Sequence, residues 1–279
     1  MTPNRSPGWA LALVAAVTAA SALWFHSPLF PRDTLATWQR GSGGWLSVTL
    51  VANLLTGLAT CALLFGPGRQ RPGDVGWRRG TLGPALGATL GLWALMQLAT
   101  VVAAAAAGAT LEPARAWSSP AGPGVALGPL LAQLLGTALL EETLCRGYLW
   151  PQLALLAGRW LPARHAGWAG LLASQLLFGL LHVPGRLQAG AAPGELAGML
   201  LALTLTGLVL ALLYAATDNL LFAVGVHALG NAPTPLFVPQ GPPPSLVLLA
   251  GSLLLAGLWW HARRGRNGAE PTLPPAAAP

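Results

Sequence analysis

The stretch VALGPLLAQLLGTALLEETLCRGYLW, from Val125 to Trp150, is almost wholly apolar up to Leu140 and then carries Glu141, Glu142 and Arg146. Continued through those residues, the run is long enough to cross a bilayer. An ionisable group inside such a span costs roughly 2.5–3.5 kcal/mol on insertion scales. Packing alone does not account for two acids and an arginine at that cost. Pro151 is the first strong stop signal, so the helix is predicted to end at Trp150.

The rest of the chain repeats the problem. Phe178-Gly-Leu-Leu-His182 and His227-Ala-Leu-Gly-Asn231 also interrupt apolar runs. Charged residues make up 8% of the 279 positions, hydrophobic residues 54%, and the mean hydropathy is +0.58. A soluble domain carries about 25% charge, so the class is a polytopic membrane protein. All 15 basic residues are arginine. The net charge of +7 is not read as a nucleic-acid signal, because the arginines lie between apolar runs, where they orient a chain in a membrane. Cys61 and Cys145 are the only cysteines; each lies in an apolar run, without the Cys/His company of a thiolate zinc site. Cys145, beside an acid-rich turn, is expected to be a buried small residue rather than a nucleophile.

Candidate spans run from Trp9 to Phe25, Trp45 to Phe65, Leu82 to Gly108, Val125 to Leu140 (continuing to Trp150), Gly167 to Val183, Leu196 to Ala216, Asn219 to Asn231 and Leu246 to Trp260. The fold class is therefore all-α, with about eight transmembrane helices and a polar site buried in the bundle. The seventh span is short, a length tolerated when protein rather than lipid surrounds it. Asp218 and Asn219 read as its starting cap. Four-residue glycine spacings at Gly83, Gly87 and Gly91, and at Gly190, Gly194 and Gly198, suit close helix packing, although glycine is abundant throughout. Arg5 and the small triplet Ala20-Ser21-Ala22 resemble a signal peptide; the apolar run continues past them, so a retained helix is expected.

With eight crossings, ten arginines fall on the side of the termini and four (Arg32, Arg40, Arg115, Arg186) on the other, Arg146 being set aside. The positive-inside rule then predicts a multi-pass cell-membrane protein with both termini cytoplasmic. The organisation expected is 1–124 for the first three spans and their loops, 125–232 for a core holding the polar strings, 233–267 for the last span and its basic end, and 268–279 for a disordered tail. His26, His165 and His261 fall at segment ends and are expected at the interface or in solvent.

Helical geometry gives each string a direction. Glu142 and Arg146 are four residues apart and share a face, so they can pair. Glu141 is rotated by about 100° and is left free. Counting rise per residue along the three helices allows Glu141, His182 and His227 to meet near mid-membrane. A glutamate and a histidine in a dry site can activate water, and a second histidine with an amide one turn away offers donors to an oxyanion. Those are the parts needed to hydrolyse a peptide bond. Glu plus two His is also a catalytic zinc set, so Zn held by Glu141, His182 and His227 is open, as is a site with no metal.

In order and spacing the three strings, E-E-x-x-x-R, F-x-x-x-H and H-x-x-x-N, resemble the CPBP family of intramembrane proteases, which includes the Ras-converting CAAX prenyl endopeptidases and relatives linked to bacteriocin self-immunity. Every signature position matches, and the resemblance covers about residues 125–232. It implies an intramembrane endopeptidase acting on membrane-associated or lipidated peptides and proteins. Glu141 would activate water with His182, His227 and Asn231 would form the oxyanion site, and Glu142, Arg146 and Phe178 would support them. Membrane lipid and a peptide or lipidated protein would be the partners, with no nucleic acid. The family is often labelled as metalloproteases, and metal-free glutamate catalysis is the reading preferred here. The competing reading is a non-catalytic membrane protein, a proton-coupled transporter or a partner-binding immunity protein; the repeated halves of a transporter are not visible.

Overall fold

Seven apolar stretches fold as helices long enough to cross a membrane, in a computed structural model that describes residues 4–267. The helices are α1 (Gly8–Phe25), α2 (Arg32–Gly41), α3 (Val48–Phe65), α4 (Arg79–Ala106), α5 (Gly124–Ala157), α6 (Ala163–Leu181), α7 (Val183–Gln188), α8 (Pro193–Thr217), α9 (Leu220–Asn231) and α10 (Pro244–Asn267). Helix accounts for 75% of the structure, with no strand among the described residues. The chain is a multi-pass, all-α membrane protein. The tail from 268, expected to be disordered, lies outside the described residues.

Hydrogen bonds between loops fix which ends lie together. Asn4 bonds Asp74, Ser6 bonds Gly68, and Gln152 near the end of α5 bonds Asn4. Asn219 reaches Thr81, and Arg263 reaches Ala216. These residues form one end of the bundle. At the other end His26 bonds Gln188, Trp117 bonds Pro235, and Gln240 bonds Thr110. The alternation requires α9 to pass between the two ends, although it is only 12 residues long. Its residues from Phe222 to Leu229 are all buried, so protein rather than lipid satisfies this short crossing.

Four features differ from the sequence reading. Helix α5 does not stop at Trp150 but runs to Ala157. A π turn at Thr143–Leu149 precedes Pro151, which occupies the first turn of a new α segment. There the missing proline N–H costs nothing. The second difference is α2, an amphipathic segment that buries Leu35 against Phe30 and Ala52; it carries too little apolar sequence to be read as a span. The third concerns the glycine ridges: a Cβ on Gly83, Gly87, Gly91, Gly194 or Gly198 would meet nothing. Close approach happens elsewhere. A Cβ on Gly170 would lie 2.4 Å from Ala154 N, and one on Gly147 would lie 2.4 Å from Val75 O.

The fourth is Asp218. Asn219 alone caps α9, accepting from Phe222 N–H, while Asp218 ends α8 in the left-handed region at φ 53°. Its carboxylate pairs with Arg78 at 2.5 Å and Arg263 at 3.6 Å. Burial works to raise the Asp218 carboxyl, but the hydrogen bonds and charge of Arg78, then Arg263, hold it below the ordinary carboxylate range. A depressed folded-state value contributes stability above the unfolded value, about 3.9, and loses it as pH falls through the folded value. The gap in unfolding midpoint between the wild type and D218N is therefore expected to be constant near neutrality and to close on acidification below about pH 4. Thermal scans from neutral to acid pH check this; a gap that widens with acid would contradict it.

Candidate active site

The first polar string lies on α5 between two π turns, Gln133–Thr137 and Thr143–Leu149, with one α turn, Ala138–Glu142, between them. Such i→i+5 turns are rare within α-helices and are found frequently at functional sites. The intervening turn sends the two glutamates to different places. The Glu142 side chain is fully buried, whereas that of Glu141 is 23% exposed and lines a cavity of about 500 Å³.

Glu142 Oε1 accepts from Arg146 Nη1 at 3.1 Å and from His227 Nδ1 at 2.7 Å. Arg146 also donates to the Gly207 carbonyl at 3.0 Å, and its guanidinium lies 4.8 Å from the Phe178 ring centroid. The cation is thus paired, hydrogen-bonded and stacked, as a charge removed from water must be. Gly207 permits this approach: a Cβ there would lie 2.6 Å from Gln175 Oε1 and 3.0 Å from Arg146 Nη2. Phe178 also touches His182 edge-on at 4.7 Å between centroids, and its carbonyl accepts from His182 Nδ1 at 2.8 Å.

These bonds settle the tautomers. A carbonyl oxygen and a carboxylate paired with an arginine can only accept, so both histidines carry their proton on Nδ1. In the neutral ring each Nε2 then presents a lone pair. His182 Nε2 lies 3.7 Å from Glu141 Oε1, and His227 Nε2 lies 3.6 Å from Glu141 Oε2. Both distances are too long for a direct hydrogen bond. Four acceptor atoms from three helices thus converge, and a donor placed among them, such as a water with two O–H groups, reconciles them. Zinc chemistry suits a donor set of one carboxylate and two imidazoles. Among the described residues, however, no group of three or more His, Cys, Asp or Glu is arranged to hold a metal ion.

Asn231 does not face this cluster directly. It is exposed at the end of α9 and donates to Gln133 Oε1 at 3.0 Å. Gln133 lines the cavity, as does Thr137, which accepts from Asn53 of α3 at 2.9 Å. The sequence reading passed over both. Their signal was present in the four-residue spacing Gln133, Thr137, Glu141 along an otherwise apolar helix. His26, expected in a bland interfacial role, also lines the cavity, whereas His165 and His261 are exposed. Cys145 is buried and lies along the cavity wall.

Comparison with known proteins bears on residues 123–233, which match the family model of Rce1-like, type II CAAX prenyl endopeptidases. The match includes all three polar strings. No curated protein and no solved structure matches the chain. Three helices bring a carboxylate and two tautomer-fixed histidines together inside a membrane bundle, and the stretch that does so carries an Rce1-like domain of the CPBP intramembrane proteases, a family of hydrolases.

Proposed function

We propose that the chain is an intramembrane endopeptidase that hydrolyses membrane-associated or lipidated peptides with a water activated by Glu141 and His182. The observation that carries this reading is the pair of Nε2 atoms, 3.7 and 3.6 Å from the two oxygens of Glu141, on rings whose other nitrogens are already committed. Water donates one hydrogen bond to Glu141 and one to His182 Nε2, so its lone pair points at the substrate carbonyl carbon. As the C–O bond forms, Glu141 takes the proton. The carbonyl oxygen becomes an oxyanion, and Asn231 offers it the N–H not given to Gln133. His227 adds a second donor when it carries both protons. Glu141 then returns the proton to the leaving nitrogen as the C–N bond breaks, giving a carboxylic acid and an amine, which exchange the remaining proton to leave a carboxylate and an ammonium group.

Glu142 and Arg146 orient His227 and are not expected to touch substrate. The arginine-rich end of the bundle is assigned to the cytoplasm, which places both termini there and the cavity mouth on the opposite face. A C-terminal fluorescent-protein fusion is expected to fluoresce and a C-terminal phosphatase fusion to be silent; the reverse result would invert this orientation.

The activity is tested by incubating purified protein in detergent with a pool of lipopeptides in oxygen-18 water. Cleavage should place one heavy oxygen in each new carboxyl group. A folded protein that leaves the pool intact would favour a non-catalytic role for the cluster.

A further inference from the structure

The cavity runs from Glu141 at mid-span to the end of the bundle away from the termini, where His26, Arg32 and Arg186 line its mouth. One turn from Glu141 toward that mouth, its wall carries Thr137 of α5 beside Asn53 of α3. Asn53 Nδ2 donates to the Thr49 carbonyl at 3.1 Å and to Thr137 Oγ1 at 2.9 Å. The carbonyl can only accept, so the amide orientation is fixed and both Nδ2 hydrogens are used. Asn53 Oδ1 and the Thr137 O–H then have no partner among the described residues. Elsewhere in the bundle Thr18, Thr56, Thr206 and Thr217 each donate the hydroxyl to the carbonyl four residues back in their own helix. Thr137 closes a π turn, in which the Gln133 carbonyl receives the Ala138 N–H instead. Gly136 lets the two helices approach at this point: a Cβ there would lie 3.3 Å from Asn53 Cβ and 3.6 Å from Leu50 Cδ1.

We infer that Asn53 and Thr137 form a subsite for the peptide backbone of the substrate. The threonine hydroxyl donates to a carbonyl, and the asparagine oxygen accepts the N–H of the same residue. One donor beside one acceptor is what a hydrogen-bonded residue of an antiparallel strand offers its partner. Every non-proline residue carries that complement in its main chain, so the subsite is indifferent to side chains and holds the peptide extended. Inside a membrane bundle, a backbone group that leaves water needs such a partner. Thr137 precedes Glu141 by four residues, about 6 Å along α5. Extended peptide covers about 3.3 Å per residue, so the residue held lies about two from the bond presented to Glu141. Asn53 is outside residues 123–233 that match the family model, so the N-terminal helices supply half of the subsite. A tie that serves the fold alone would use the same Asn53–Thr137 bond, and the experiment separates the two.

The inference rests on the peptidase reading for why a peptide enters, and binding tests it apart from turnover. The probes are fluorescent decapeptides of mixed sequence with an N-terminal palmitoyl chain, titrated against E141Q protein in detergent by anisotropy. The tightest binder is remade with one backbone amide at a time replaced by an ester, which removes the N–H and leaves the side chains unchanged. One ester is expected to weaken binding about fivefold, the size of one lost hydrogen bond. Adding N53L or T137V should bring that ester and its amide within about twofold of each other. T137S, which keeps the hydroxyl, should preserve the difference. Thermal scans identify a variant that fails to fold, and the other then decides. A flat ester scan, no saturable binding by any decapeptide, or a sensitive amide that persists in folded N53L or T137V protein would overturn the inference. Where the wild type cleaves the peptide, the sensitive amide should lie about two residues from the new ends; a separation of about five or more would also overturn it. If the sensitive amide depends on Asn53 and Thr137 but the wild type cleaves nothing, the peptidase reading fails while the subsite stands.

Discussion

Replacing Glu141 with glutamine is expected to lower lipopeptide turnover about 10²–10⁴-fold, the span covered by a positioned general base, while leaving the unfolding temperature close to wild type. Glutamine keeps the shape and one acceptor oxygen but cannot take the proton that attack by water must release. Little structure depends on the carboxylate: neither histidine is within hydrogen-bond range of it, and Glu141 Oε2 has no hydrogen-bond partner. Removing its charge therefore exposes no buried cation, in contrast to Glu142. H182A is expected to lower kcat by about 10²-fold, and E141Q combined with H182A should be little worse than E141Q alone. Residues that act on one water are strongly non-additive. Turnover of a quenched lipopeptide by purified variants, alongside thermal scans, makes the comparison. An E141Q protein that is folded and fully active would remove Glu141 from the chemistry.

The membrane class and the polar strings were legible in the sequence for one reason. Lipid makes composition decisive, so apolar runs declare themselves and an ionisable group within one stands out energetically. The jobs of Glu141 and Glu142 were separable because neighbouring helical residues point in different directions. What was not legible depends on breaks in that regularity or on contacts between distant segments. The π turns flanking Glu141 leave no mark in composition, and the second carries the helix past Pro151. Glycine spacing gave ridges with no knowledge of which face meets a neighbour, so Gly83 and Gly87 were favoured over Gly147 and Gly170. His26, Arg32 and Arg186 are ordinary segment-end residues in the chain; only the folding of α1 and α2 against α7 gathers them at one mouth. Asn231 shares a face with His227 on paper, but at the helix end its amide finds Gln133 on α5.

The Glu142–Arg146 pair should separate stability from chemistry. Arg146→Ala is expected to destabilise the folded protein by about 3–5 kcal/mol, since it leaves the Glu142 carboxylate buried with only His227 as a partner. It also removes the guanidinium that packs on Phe178 and binds the Gly207 carbonyl. Glu142→Ala should cost a similar amount by stranding Arg146, whose side chain is fully buried. The double substitution of Glu142 by Leu and Arg146 by Met replaces the ion pair with apolar groups of comparable volume. A buried pair rarely outweighs its own desolvation, so the double variant is expected to recover most of the stability that either single variant loses. It should not recover activity. Without Glu142, His227 Nδ1 loses the acceptor that orients the ring. The ring is then free to turn away from the site, and kcat is expected to fall about 10²-fold or more. Measuring unfolding in detergent beside turnover for the three variants distinguishes the roles. A double variant as unstable as the singles would mean that the pair stabilises the bundle outright, and a stable, fully active one would mean that Glu142 does not orient His227.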